Sequence, residues 1–195
     1  MTTEPALERQ SMLGEFARRQ AEELAFPPSH WEADALVAAL QLPRVRVARA
    51  DEDKLLADGM AYNSCHPNCA QLEERFPEHI RHVTGWLITD YMLVLHSVVR
   101  IQGRWLCVTP QTTPSPSTFS FIPDSSIEWI YATDEIVPTR GGIRLPNALR
   151  KYPEQHILMR DRLRELIASG MTAFDARAVV DATLGDELRK KAPIR

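Results

Sequence analysis

The stretch 83–109, VTGWLITDYMLVLHSVVRIQGRWLCVT, decides the fold. Residues 83–89 and 92–101 are dense in β-branched and aromatic side chains, which suit the pleated, half-buried surface of a strand. Gln102-Gly103 then has the length and the glycine of a two-residue hairpin turn into residues 104–108. That turn sets Ile101 opposite Arg104. Counting back puts Val98 opposite Cys107 and His96 opposite Thr109, and opposed residues share a face. Connections this short require antiparallel pairing.

On the N-terminal side the pattern is helical. Leu13, Phe16, Gln20 and Leu24 fall on one face of a helix over residues 5–24, and Phe26-Pro27-Pro28 ends it. Ser29 followed by Glu32 is a capping box for a second helix to about residue 40, closed before Pro43. Residues 45–48 suggest a short strand, and residues 51–58 a short helix with Gly59 just past its end. Ser64 caps a further helix to about residue 75, with Pro67 in its first turn and Pro77 as its stop.

On the C-terminal side, PQTTPSPST at 110–118 is a surface loop. Residues 119–122 read as one more strand, and Asp124 or Ser125 as the start of a short helix through Trp129. Gly141-Gly142 marks a turn, after which the chain turns helical from residue 145. One helix covers 157–169 with Gly170 at its end, and Thr172 with Asp175 opens a last helix to about residue 191. Strands cluster between 83 and 122 with helices before and after. This segregation predicts a single α+β domain over 1–195 with one small, mainly antiparallel sheet. Its parts are a helical segment 1–42, an α+β core 61–130 and a helical segment 145–195.

The 195 residues are 44% hydrophobic and 25% charged with a formal net charge of -3, which is globular and argues against nucleic acid as a general partner. The basic cluster Arg189-Lys190-Lys191 reads as a solvated helix end. No apolar run reaches the ~18 residues of a membrane span, and MTTEPALERQ lacks the basic-then-apolar order of a secretory signal. Cys65, Cys69 and Cys107 are too few and odd in number for a disulfide framework. The expectation is free thiols in a cytoplasmic protein without a cofactor.

The chemistry concentrates in Asn63-Ser64-Cys65-His66-Pro67-Asn68-Cys69. A cysteine in the first turn of a helix meets free backbone N–H groups and the positive end of the dipole, which favour a thiolate and hold an oxyanion. His96 is the candidate base, Thr109 or Cys107 would orient its ring, and the Asn63 amide would add an oxyanion donor. The plainer reading is structural. Cys65, Cys69, Leu72 and Phe76 form one helical stripe, and a buried free cysteine behaves as a small hydrophobe. A third reading is a metal site from Cys65, His66 and Cys69, with His79 and His82 nearby.

Five motifs recur together in a family of uncharacterised bacterial proteins that this stretch resembles. They are a cysteine–histidine helix start (Ser64-Cys65-His66-Pro67-Asn68), Gly85-Trp86, His96-Ser97-Val98, the strand Leu106-Cys107-Val108-Thr109-Pro110, and Phe121-Ile122-Pro123-Asp124. The order of Cys on a helix start, His on a strand and a polar residue on the next strand is similar in layout to papain-like NlpC/P60 thiol enzymes. Ser64 stands where the family has Asn, with Asn63 adjacent, and Cys107 where it has the His-orienting Asp. Thr109, Asp124 or no residue takes that place.

The resemblance implies a thiol hydrolase or acyltransferase acting on an amide or ester of a small molecule or protein. Cys65 would attack and His96 would carry the proton. The alternatives are a non-catalytic binding or interaction module and a small metal-binding protein.

Overall fold

The computed structural model describes residues 4–112, 115–131 and 136–194, so residues 113–114 of the proline-rich loop lie outside the description. The fold is α+β, and the described chain divides into two compact units. One comprises residues 1–33 and 150–195, the other residues 34–149.

The first unit is helical. It contains α1 (Glu4–Glu23), the start of α2 (His30–Leu40), α5 (Pro153–Ala168), α6 (Ala173–Val180), a π-helical segment Asp181–Gly185 and α7 (Asp186–Arg189). Its core joins Leu163 and Leu166 of α5 to Ala176 and Val180 of α6, with Ala21 of α1 packed alongside. Thr172 caps α6 as its sequence pattern indicates, its hydroxyl accepting from Asp175 N–H at 3.1 Å. Ser29 likewise accepts from Glu32 N–H at 3.1 Å. The capping box is only half formed, because the Glu32 carboxylate is engaged by Arg150.

The second unit is a ring of five strands: β1 (Val45–Arg49), β2 (Ile80–Ile88), β3 (Met92–Ile101), β4 (Arg104–Cys107) and β5 (Thr118–Pro123). Pairings run β2–β5–β1–β4–β3, and β3 returns to β2, so the ring closes and its internal edges vanish. All pairs are antiparallel except β1 with β4. The sheet therefore starts earlier than residue 83 and recruits β1, whose partners lie far along the chain. β3 also runs beside β9 (Ala148–Arg150), where Leu95 N–H donates to Asn147 O.

The hairpin turn is as its sequence suggests. Gln102 and Gly103 take φ of 49° and 80°, and Ile101 pairs with Arg104. The β2–β5 contact needs a glycine. A Cβ on Gly85 would stand 2.1 Å from the Ile122 carbonyl oxygen. Val47, Val98, Cys107 and Phe121 fill the ring, joined by Val83. On the outer face α3 (Glu52–Ala57) and α4 (Cys65–Arg75) cross from β1 to β2, and Cys69 packs there with Leu55, Ile80, Val99 and Val108.

Residues 124–145 depart from expectation. The Asp124 carboxylate accepts from Ser126 N–H at 3.0 Å, which makes a tight turn rather than a helix start. The β-rich run that follows is β6 (Ile127–Tyr131), paired with β7 (Ile136–Arg140), which pairs with β8 (Ile143–Arg144). The chain also stays extended through β9 before α5 begins at Pro153.

Candidate functional site

Strand parity sorts the polar side chains of the ring. On β2, Val83 and Gly85 face inward, so His82, Thr84 and Trp86 face outward. Each outward side chain has a partner. His82 Nε2 meets Ser97 Oγ at 2.6 Å, Thr84 Oγ1 accepts from Trp129 Nε1 at 3.0 Å, and Trp86 Nε1 donates to Asp124 Oδ2 at 2.9 Å. Ser97 pairs with Thr84 in the ladder and so shares that face. From α4, His66 Nδ1 reaches the same Ser97 Oγ at 2.6 Å. The His66 ring stands edge-on to Trp129, 4.5 Å between centroids.

These groups border a cavity of about 380 Å³ lined by His66, Pro67, Ala70, His82, Trp129 and Ile136. Burial pushes His66 down to about 4, with His82 adding to the effect. It also lowers His82, against an opposing pull from Glu73. Both rings are therefore neutral at pH 7.

His96 points the other way. It pairs with Gly85 and faces into the ring, edge-on to Phe119 and Phe121. Its Nε2 lies 3.5 Å from Cys107 Sγ, which also receives Arg49 Nη1 at 3.3 Å. Burial, then Arg49, then His66 push His96 down to about 3. Burial raises the Cys107 thiol, opposed by the Thr109 backbone N–H and by Arg49. Thr109 Oγ1 is buried, and its side chain also favours the Cys107 thiolate. The register that set His96 beside Cys107 is thus realised in space. Asp124, weighed as a carboxylate for His96, serves Trp86 and Arg140 instead. Burial alone would raise it, yet hydrogen bonds from Trp86, Ser126 and Arg140 hold it below the usual carboxylate value.

No family model, curated protein or solved structure matches the chain.

Cys65 opens α4, and its sulfur faces the backbone N–H groups of Ser97, of His66 and of Cys65 itself. Burial outweighs those donors and pushes the thiol up to about 11. Among the described residues no hydrogen bond joins Cys65 to His96. Ser64 leaves the helix uncapped, because its hydroxyl donates to Tyr62 O at 3.1 Å. The Asn63 amide is also turned away from an oxyanion role. Asn63 takes φ 54° and donates through Nδ2 to Thr112 Oγ1 at 3.1 Å. Asn68 is the structural residue of the motif: buried, it accepts from Ala61 N–H at 3.1 Å and donates to Ala61 O at 2.8 Å.

The metal reading of Cys65, His66 and Cys69 meets a geometric obstacle. Among the described residues no three His, Cys, Asp or Glu side chains are grouped to hold an ion. Cys69 points into the α4 core, while His66 is committed to Ser97. His79 is exposed, and His82 is part of the cavity. Sequence reasoning missed Ser97 and Trp129. The available signal was the parity of His82, Thr84 and Ser97, which places three polar side chains on the face that α4 covers.

Proposed function

We propose that the chain is a binding module that takes a small, largely apolar molecule into the cavity between α4, β2 and the β6–β7 hairpin. One observation carries this. A cavity of about 380 Å³, walled by Pro67, Ala70, Trp129 and Ile136, has a polar floor of two imidazoles fixed on one serine. Concave apolar walls with a few convergent polar groups are the usual form of a ligand site. Toluene is a suitable first probe. Titration should change Trp129 emission saturably, the change should vanish in Trp129→Phe, and Ala70→Trp should fill the cavity and block binding. No saturable response to toluene or to other small aromatics would sink the reading. The three cysteines are free and buried, in keeping with the reducing cytoplasm that we propose as its compartment. No described helix is long and apolar enough to cross a membrane.

A second reading has its own support. The backbone N–H groups of Ser97, His66 and Cys65 favour a thiolate at Cys65, as a nucleophilic cysteine requires. On that reading the protein is a papain-like thiol hydrolase or acyltransferase acting on an amide or ester, with Cys65 as nucleophile. His96 would have to rotate out of the ring to act as its base, with Thr109 behind it. Iodoacetamide labelling with peptide mass spectrometry separates the two. A binding module protects Cys65 until unfolding, whereas a thiol enzyme labels Cys65 faster in the native state than in the denatured one, even at pH 6.

A further inference from the structure

The floor of the cavity constrains what it can recognise. Ser97 is fully buried, and its Oγ lies 2.6 Å from both His66 Nδ1 and His82 Nε2. A serine hydroxyl has one proton and two acceptor positions, and a neutral imidazole has one N–H and one bare nitrogen. Among the described residues the Ser97 hydroxyl has no hydrogen bond except those to the two rings. Its proton therefore points to one ring, and the other ring donates its own N–H to Ser97. The ring that accepts must carry its proton on the far nitrogen. The ring that donates must have a bare far nitrogen. Those far nitrogens are His66 Nε2 and His82 Nδ1, on two rings that line the cavity. One shared proton thus makes the pair complementary: one outward donor and one outward acceptor. Rotating the Ser97 hydroxyl exchanges the two roles but preserves the pairing.

We propose that the cavity binds a neutral molecule whose polar end joins an acceptor to a donor, as a primary carboxamide or a lactam does, on a compact apolar body. This rests on reading the cavity as a small-molecule site. The carbonyl oxygen takes the N–H of one ring, the amide N–H meets the bare nitrogen of the other, and the apolar body lies against Trp129, Pro67 and Ile136. A carboxylate fits poorly. It offers two acceptors, so both far nitrogens would need protons, and burial of the rings opposes the extra charge. The Glu73 carboxylate acts on His82 from α4 and disfavours an anion as well. A plain hydrocarbon fits less well than an amide. It covers two ring nitrogens and leaves both unpaired, which an amide does not.

Isothermal calorimetry at pH 7.5 with benzamide, benzoate and toluene tests this on the full chain. Benzamide should bind at least tenfold more tightly than either of the other two. Ser97→Ala frees the two rings to choose tautomers independently, so the preference for benzamide over toluene should fall below threefold while toluene still binds. His82→Phe removes one member of the pair and should have the same effect, which guards against a folding defect in either variant alone. Toluene binding as tightly as benzamide to the unaltered chain overturns the pairing and leaves the cavity reading intact. Benzoate binding most tightly also overturns it, since the floor would then be an anion site. No binding of any of the three overturns the cavity reading itself.

Discussion

Protonation links the two histidine environments of the second unit, although they face opposite sides of one strand. Burial holds His66 near 4 and His96 near 3, both below the ordinary value of 6.5. The unfolded chain takes up these protons near pH 6.5, and the folded chain only at 4 or below. The stability they confer is therefore complete above about 6.5 and is lost as pH falls through that window. Each tenfold loss of proton affinity on folding corresponds to ~1.4 kcal/mol. Urea midpoints should fall steadily between pH 6.5 and 4.5, and His66→Asn should remove part of that slope at a loss of roughly 1–3 kcal/mol of its pH-dependent range. A midpoint that is flat across this window would show that the rings are solvated. The same residues explain what the sequence concealed. That Cys107 would lie beside His96 followed from a two-residue turn and simple counting. That His66 would meet His82 across Ser97 depends on how α4 rests on β2 and β3, a contact between distant segments that no local periodicity encodes.

Among the elements, legibility followed locality. The β3–β4 hairpin and the cap of α6 were readable because turn chemistry and capping act within four residues, whereas α4 begins at Cys65 without the Ser64 cap that its sequence suggested. β1 was readable as a strand, but its parallel place beside β4 was not, since that pairing joins segments more than fifty residues apart. β6 was misread as a helix because Asp124-Ser125-Ser126 has the composition of an N-cap, while tertiary partners, Trp86 and Arg140, claim the carboxylate. Two substitutions test how the ring is held together. Gly85→Ala must push β2 from β5, because the contacting atom is backbone rather than a flexible side chain. Thermal and urea unfolding should show a loss at or above the upper end of the ~1–3 kcal/mol typical of overpacking, and a loss under about 0.5 kcal/mol would mean that the strands are not in this contact. Asn68→Ala strips both hydrogen bonds from the backbone of Ala61 ahead of α4. It should cost ~1–3 kcal/mol and speed alkylation of Cys65 by loosening the turn that buries it, whereas unchanged labelling would uncouple the loop from the helix.

For the molecule as a whole, the chain order makes one unit depend on a contact between its ends. Residues 1–33 and 150–195 form a single helical unit, and residues 34–149 are interposed between its two halves. Glu32 and Arg150 stand at the two points where the chain leaves and re-enters that unit, and they are bonded to each other. Arg150 Nε donates to Glu32 Oε1 at 2.9 Å and Nη2 to Oε2 at 2.8 Å, with side-chain exposures of 0% and 3%. Arg150 Nη1 also donates to Leu24 O at 2.6 Å and Phe26 O at 2.9 Å, and the guanidinium stacks 3.5 Å over the Phe26 ring. A planar fork serving two oxygens and an aromatic face at once is a task for arginine and not for lysine. Taking both charges out of water is costly, so the pair adds little relative to a well-packed apolar pair, but breaking it strands a buried charge. Arg150→Met should therefore destabilise by ~3–5 kcal/mol, and Glu32→Leu by a similar amount. The double variant should lose clearly less than the sum of the two, a coupling of at least ~2 kcal/mol in a double-mutant cycle. Arg150→Lys should recover only part of the loss, because it keeps the charge but not the fork. Urea unfolding at pH 7 gives all four numbers. Additive single effects, or a fully stable Arg150→Lys, would mean that the two ends are joined by general helix packing and not by this pair.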